Sequence, residues 1–406
     1  MEAVETSFSL RGKLVTDSRV IEDGIVLVDG GFITRIIDVA AAGPEDAELI
    51  AAAPATESCI LPGLVDVHCH GGGGSSFPNS TSVEKAQTAI DEHRRHGTTT
   101  IVASLVTAHA DVLRERAALL TELAEAGELA GIHFEGPFVS HARCGAQDPR
   151  FIIDPDPELT AELVDICKGH AVTMTLAPEK EKAYGPGSVA EVLIRGGALP
   201  SWGHTDSASA PARAALEYSR DEIAATDSPR CAHATITHLF NGMRPLHHRD
   251  TGPIAEFLSD ATRGGAIAEM ICDGVHLDPT LVRDVYELLG RDACVFVTDA
   301  MEAAGMPNGT YELGSQTVEV EDGSAYLAGT KSLAGGTAHL LDCVRVAVQK
   351  GGIDLVDAVY MGSAQGAKIL GRSDVGRLAE GLRADLVEVD ADLRPLRVWR
   401  GGEIVE

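Results

Sequence analysis

The chain predicts an α/β fold: a (β/α)8, TIM-like barrel with a small β-sandwich that both termini build beside it. Two observations carry this. In the middle of the chain, eight apolar runs alternate with stretches of helical periodicity. At both ends the rhythm changes to alternating apolar and polar residues broken at Gly and Asp, the mark of short antiparallel strands.

The N-terminal strands are read in "FSLRGKLV" and "GIVLVDGGFITRIIDV". The barrel strands follow in "LPGLVDV", "TTTIVAS", "AGIHFE", "AVTMTLAP", "ALPSWGH", "HATITH", "GAIAEMIC" and "ACVFVTD". Segments such as "ADVLRERAALLTELAEAG" and "PTLVRDVYELLG" carry the helical period between them. The chain then returns to alternation in "ADLVEVD" and "LRVWRGGEIVE". Residues 60–370 are therefore assigned to the barrel, and 1–59 with 371–406 to the sandwich. A doubly wound sheet would alternate in the same way, but no phosphate-binding glycine fingerprint follows the first strand.

Composition narrows the class. With 406 residues, 44% of them hydrophobic, the chain can bury a large core. A formal charge of −28 argues against nucleic acid or an anionic membrane as partner, and requires local cations for any anionic substrate. Eight scattered cysteines without a C-x-x-C pair read as reduced thiols in a cytoplasmic protein. The N-terminus lacks a secretory pattern, and no apolar run is long enough to span a bilayer.

The polar residues that end the barrel strands are the chemical signal. The first strand runs into His68 and His70, the third into Glu135, the fifth into His204, the sixth into His238 and the eighth into Asp299. Catalytic groups in such a barrel sit where strands end and loops begin. One histidine at a strand end is most often a hydrogen-bonded structural residue. Six imidazole and carboxylate groups at five strand ends are instead a donor set suited to a divalent ion. Strand alternation puts His68 and His70 on one face and Cys69 on the other, where it packs. The four glycines after His70 are read as leaving room for metal and substrate. His133, one pleat before Glu135, is read as support or packing.

In order, "PGLVDVHCHG", "EGPF", "GHTD", "THLFNGM", "DGVHLD" and "VTDAM" resemble the amidohydrolase superfamily and, within it, the deacetylases of N-acetylglucosamine 6-phosphate. The closing "GRLAEGLRADLVEVD" is similar to the terminal domain of such enzymes. The resemblance implies hydrolysis of the acetamide of N-acetyl-D-glucosamine 6-phosphate to D-glucosamine 6-phosphate and acetate, in amino-sugar catabolism and cell-wall recycling. The alternatives are the galacto-epimer deacetylase or another deacylase of the superfamily. A barrel that has lost catalysis is the reading from outside enzymology, and the complete donor set argues against it.

By resemblance, Glu135, His204 and His238 form the family's shared metal site, and His68, His70 and Asp299 hold a second ion. One or two divalent ions are implied, zinc first, with iron, manganese or cobalt also compatible. A cation at this site acidifies water. Asp299 is then the base that takes the water's proton and the acid that returns it to the departing amine. His276 with the metal stabilises the oxyanion. The phosphate is assigned to Arg249 and His276, with Arg249 reaching the neighbouring site of a homodimer. Further substrate contacts are implied at Ala146, Asn241, Gly242, Leu333, Ala334 and Gly335. The chain departs from its relatives at Gln147, where many carry histidine, and at Cys144, where a basic residue is common and which is read here as a buried thiol.

Overall fold

The computed structural model describes residues 7–406. Eight parallel strands pair in chain order: Leu64–Cys69, Thr98–Val106, Gly131–Glu135, Ala171–Leu176, Leu199–Trp202, Ala234–Ile236, Ala266–Met270 and Cys294–Phe296. The sheet closes on itself just past its regular ladder. Cys69 bridges Ala300 in parallel, and the His70 amide donates to the Ala300 carbonyl at 2.7 Å. All eight runs expected from the sequence are barrel strands.

Helices cover the outside through apolar faces. In Ala110–Glu125 the residues Leu113, Ala117, Leu120 and Ala124 are buried, a spacing of three and four that forms one stripe. Pro279–Leu289 starts at Asp278, whose carboxylate accepts from the Thr280 amide, with proline at the first helical position. Inside the barrel some positions are polar, and they satisfy one another. Thr237 Oγ1 lies 2.8 Å from Thr175 Oγ1 and 2.6 Å from Ser201 Oγ, and His133 spans Ser104 Oγ and Thr175 Oγ1 at 2.9 Å each. A buried polar group left without such a partner costs about 1–3 kcal/mol, so this web is what lets hydroxyls occupy a core.

The termini form a separate seven-stranded sheet. From one edge to the other it runs Glu403–Ile404, Pro395–Arg400, Leu386–Val389, Cys59–Pro62, Phe8–Val15, Val20–Asp29 and Phe32–Asp38. The sheet curls until its ends approach. Phe8 stacks on Trp399 with ring centroids 5.7 Å apart, and the Ala384 amide donates to the Gly31 carbonyl at 2.8 Å. Buried Asp385 ties it to the barrel by accepting from Thr99 Oγ1 at 2.8 Å.

One element was not anticipated. A three-stranded antiparallel sheet, Gly309–Leu313, Gln316–Glu321 and Ser324–Leu327, is inserted after the last barrel strand. Its alternation and its "EDGS" turn are ordinary hairpin signals, overlooked because the segment falls inside the run assigned to the barrel. Among the described residues, no helix is long and apolar enough to cross a membrane.

Candidate metal centre

The six strand-end residues meet at one rim of the barrel, all of them buried. Two groups of donors share Glu135. In the first, Glu135 Oε1 lies 2.8 Å from His204 Nε2 and 2.9 Å from His238 Nε2, and these two nitrogens are 3.0 Å apart. In the second, Glu135 Oε2 lies 3.0 Å from His70 Nε2, while Asp299 Oδ1 lies 3.3 Å from His68 Nε2 and 3.2 Å from His70 Nε2.

The outer nitrogens decide what the inner ones present. His68 Nδ1 faces Glu269 Oε2 at 3.0 Å, His70 Nδ1 faces the Ser104 carbonyl at 3.1 Å, and His204 Nδ1 faces the Arg143 carbonyl at 2.8 Å. Each of these partners can only accept, so each ring carries its proton on Nδ1 and turns the Nε2 lone pair inward. Lone pairs of imidazoles and carboxylates about 3 Å apart repel unless positive charge lies among them. The edge of a tetrahedron built on zinc bonds of about 2.0 Å is near 3.3 Å, close to these spacings. The donor set therefore fits a divalent ion, with outer partners of the kind that orient metal-bound histidine.

Electrostatics agree. Burial works against a charged His70, yet Asp299 and Glu135, which accept from its protonated form, lift it to about 8. Burial likewise works against the Glu135 carboxylate, but His204 and His238 hold it well below the usual range. The protein has arranged negative charge to welcome positive charge at this point.

Three of the six residues have unusual backbones. His204, His238 and Asp299 take φ values of 46°, 27° and 48°. Non-glycine residues seldom occupy this left-handed region, and each instance costs on the order of 1–3 kcal/mol. The turn aims each side chain over the barrel mouth as its strand ends. Gly242 is required beside them: a Cβ there would sit 2.6 Å from His204 Nδ1, and its φ is 58°.

Above the donors lies a cavity of about 280 Å³. Glu135, His204, His238 and Asp299 line it, as do Ala146, Asn241, Gly242, His276, Leu333 and Gly335 of the expected substrate contacts. A larger cavity of about 370 Å³ nearby is walled mainly by Leu105, Val106, Val112, Leu113 and Phe151, and holds none of the donors. His276 is fixed by Asp273, whose Oδ2 accepts from Nδ1 at 2.7 Å. Burial lowers the pKa of His276, but the Asp273 contact outweighs it and the net shift is upward.

Several expectations change. Ala334, between the lining residues Leu333 and Gly335, turns its side chain away from the cavity, buried with Met301, Val318 and Ala325 beneath the inserted sheet. Arg249, assigned to a neighbouring subunit's site rather than its own, sits on an exposed loop beside His248, 2.7 Å from Nη1 to Nε2. The glycines after His70 do not clear space for an ion. Gly72 and Gly73 pack against the helix Val83–Arg95, where a Cβ on Gly72 would sit 2.9 Å from His93 Nε2, while Gly71 abuts Ser75 and Gly74 faces Met306. Cys144 is half-buried rather than buried, with its thiol pushed up mainly by burial. Cys69 packs on the opposite face as expected, its Sγ 3.3 Å from His93 Nε2 of the covering helix, and His133 sets its ring edge-on to His68, centroids 4.4 Å apart.

Two contributors escaped the sequence reading, and a third, Gln147, was noted only as a departure from relatives. Glu269, within an otherwise apolar run, holds His68 and also accepts from the His238 amide at 3.1 Å. An acid inside such a run was the available signal. Lys331 is an exposed cation on the cavity wall. Gln147 is buried there, in contact with Glu135.

Residues 59–405 match the family described as the amidohydrolase family. The N-acetylglucosamine-6-phosphate deacetylase of Bacillus subtilis (strain 168) is 31% identical over 96% of this chain and 94% of its own. The N-acetylgalactosamine-6-phosphate deacetylase of Escherichia coli O157:H7 is 28% identical over 97% of each chain. Among solved structures, an N-acetyl-D-glucosamine-6-phosphate deacetylase mutant from Mycobacterium smegmatis, in complex with N-acetyl-D-glucosamine-6-phosphate, superposes with a TM-score of 0.86. It is 33% identical, and the match covers 98% of this chain and 99% of that one.

Proposed function

Because the chain belongs to the amidohydrolase family, we propose that it hydrolyses the acetamide of N-acetyl-D-glucosamine 6-phosphate, releasing D-glucosamine 6-phosphate and acetate. The observation that carries this reading is the pair of donor groups sharing Glu135 at the cavity floor, with Asp299 beside them. The gluco sugar is favoured over the galacto epimer because relatives named for it are more similar to this chain.

A divalent ion bound by these donors supplies Lewis-acid polarisation of the acetamide carbonyl and acidifies water. The rest belongs to the chain. Asp299 is held ionised: burial opposes its charge, but positive charge gathered at His68 and His70 outweighs that and lowers its pKa. As a carboxylate at the cavity wall it takes the proton of the attacking water, and it then returns that proton to the departing amine. His276, which Asp273 favours in its imidazolium form, donates Nδ1–H to that carboxylate and offers Nε2–H to the developing oxyanion, a contact worth about 3 kcal/mol in comparable sites.

Zinc suits the nitrogen and carboxylate donors first, with iron, manganese and cobalt as substitutes, in one or two sites per chain. The phosphate needs cations in a chain of net charge −28. Lys331 supplies one from the cavity wall, and Arg249 another by reaching a neighbouring subunit's cavity, which makes the working form a homodimer. A planar guanidinium is well matched to phosphate. Residues 60–370 then form the catalytic domain, and 1–59 with 371–406 the supporting one, in a cytoplasmic enzyme. The test is acetate release from 6-phosphorylated and unphosphorylated gluco and galacto sugars, with metal analysis of the same sample. The reading fails if the 6-phosphorylated gluco sugar is not the preferred substrate.

A further inference from the structure

Gln147 is 3% exposed, and both ends of its amide are engaged. Nε2 donates to Glu135 Oε2 at 2.7 Å, and Oε1 accepts from the Thr107 amide at 2.7 Å. The Thr107 N–H cannot accept, so the amide has one orientation: its donor end must face the carboxylate.

That matters because Glu135 has two tasks. One oxygen faces His204 and His238; the other lies 3.0 Å from His70. A carboxylate rotates about its last bond in a broad, shallow well. Fixing the plane therefore takes a donor from outside the imidazoles. The Gln147 N–H occupies one lone pair of Oε2 and leaves the other directed at the His70 side. The same loop fixes a second donor, since the Arg143 carbonyl holds His204 Nδ1 at 2.8 Å. Asp148, next in sequence and buried, anchors the loop to the inserted sheet by accepting from Ser315 Oγ at 2.5 Å.

We infer that Gln147 is a positioning residue that holds the Glu135 carboxylate in the orientation serving both donor groups at once. It acts through Glu135, whose Oε2 accepts from its amide. Packing alone would ask only for volume at this position; the two short hydrogen bonds ask for a donor.

The experiment compares wild type with Gln147→Met, which keeps the volume and removes the donor, and Gln147→His, which keeps an N–H. Zinc affinity is measured by competition with a chromogenic chelator, zinc content by elemental analysis, and kcat and KM on the holoenzyme. Gln147→Met should bind zinc about 10–100-fold more weakly and lose kcat with little change in KM, while Gln147→His falls between it and wild type. Unchanged zinc affinity and content in folded Gln147→Met would overturn the inference. Should Gln147→Met fail to fold, Gln147→His carries the test: wild-type affinity upholds a donor's role, and affinity reduced more than about 100-fold overturns it. The inference rests on reading Glu135, His204 and His238 as metal ligands. A wild-type chain that takes up no divalent ion overturns that reading as well, whereas intact wild-type uptake with an indifferent Gln147→Met sinks this inference alone.

Discussion

The two donor groups share a carboxylate but are held in opposite ways. His68 and His70 sit at the end of one strand, two residues apart, so the pleat itself aims both rings the same way. Their outer nitrogens are anchored by Glu269 and the Ser104 carbonyl, and both residues are essentially inaccessible. His204 and His238 come from different strands and stand on left-handed backbone. The Arg143 carbonyl anchors one of them; the Nδ1 of the other has no hydrogen-bond partner among the described residues. The histidines of the first group are thus placed by local geometry, while its Asp299 comes from another strand and stands on left-handed backbone at φ 48°. The second is built by tertiary structure, at a conformational cost of about 1–3 kcal/mol per strained residue. An ion that binds the second group offsets that cost, so metal and stability should be coupled there more tightly.

The most damaging way to break this arrangement is at the shared residue. Glu135→Ala should strip metal from both groups and reduce turnover by more than the loss of any single outer donor; elemental analysis of the purified variant checks it. Next is Asp299→Asn, which keeps the shape but removes the proton carrier. It should lower kcat by about 10²–10⁴ while metal at Glu135, His204 and His238 persists. Near-wild-type turnover in that variant would refute the acid–base role.

The barrel, the terminal sheet and all six donors were legible in the sequence because each follows from short-range pattern: apolar runs, alternation, and a polar residue at a strand end. What was not legible depends on contacts that no local pattern encodes. Glu269 meets His68 across 201 positions, and Gln147 meets Glu135 from a loop whose path no periodicity encodes. The glycine run was misread for a related reason, since its spacing shows that side chains are missing but not what comes close. Here it is the helix carrying Glu92 and His93.

Glu269→Gln sharpens the comparison further. The amide keeps the shape and removes the charge that fixes the His68 tautomer, so zinc affinity should fall by about 10–100-fold. Because Glu269 also accepts from the His238 amide, the loss should register in both groups, and titration with a chelator should show two weakened steps rather than one. Gly242→Ala, by contrast, should weaken only the group containing His204. The new methyl meets His204 Nδ1 and forces a left-handed alanine, so one equivalent of metal should become labile while the other stays.

The smallest effect expected lies outside the donors altogether. Lys331 is exposed on the cavity wall, where a single ammonium–phosphate contact in water is worth about 0.2–1 kcal/mol, so Lys331→Ala should raise KM by about 1.5- to 5-fold. The rise should be confined to phosphorylated sugar and should shrink as salt is added, because exposed charges are screened within about 10 Å at 0.1 M ionic strength. Metal content should not move, since Lys331 belongs to neither donor group. A variant that lost metal would mean that the wall and the floor of the cavity are mechanically one unit. An equal KM change for unphosphorylated sugar would mean that Lys331 holds the ring rather than the anion.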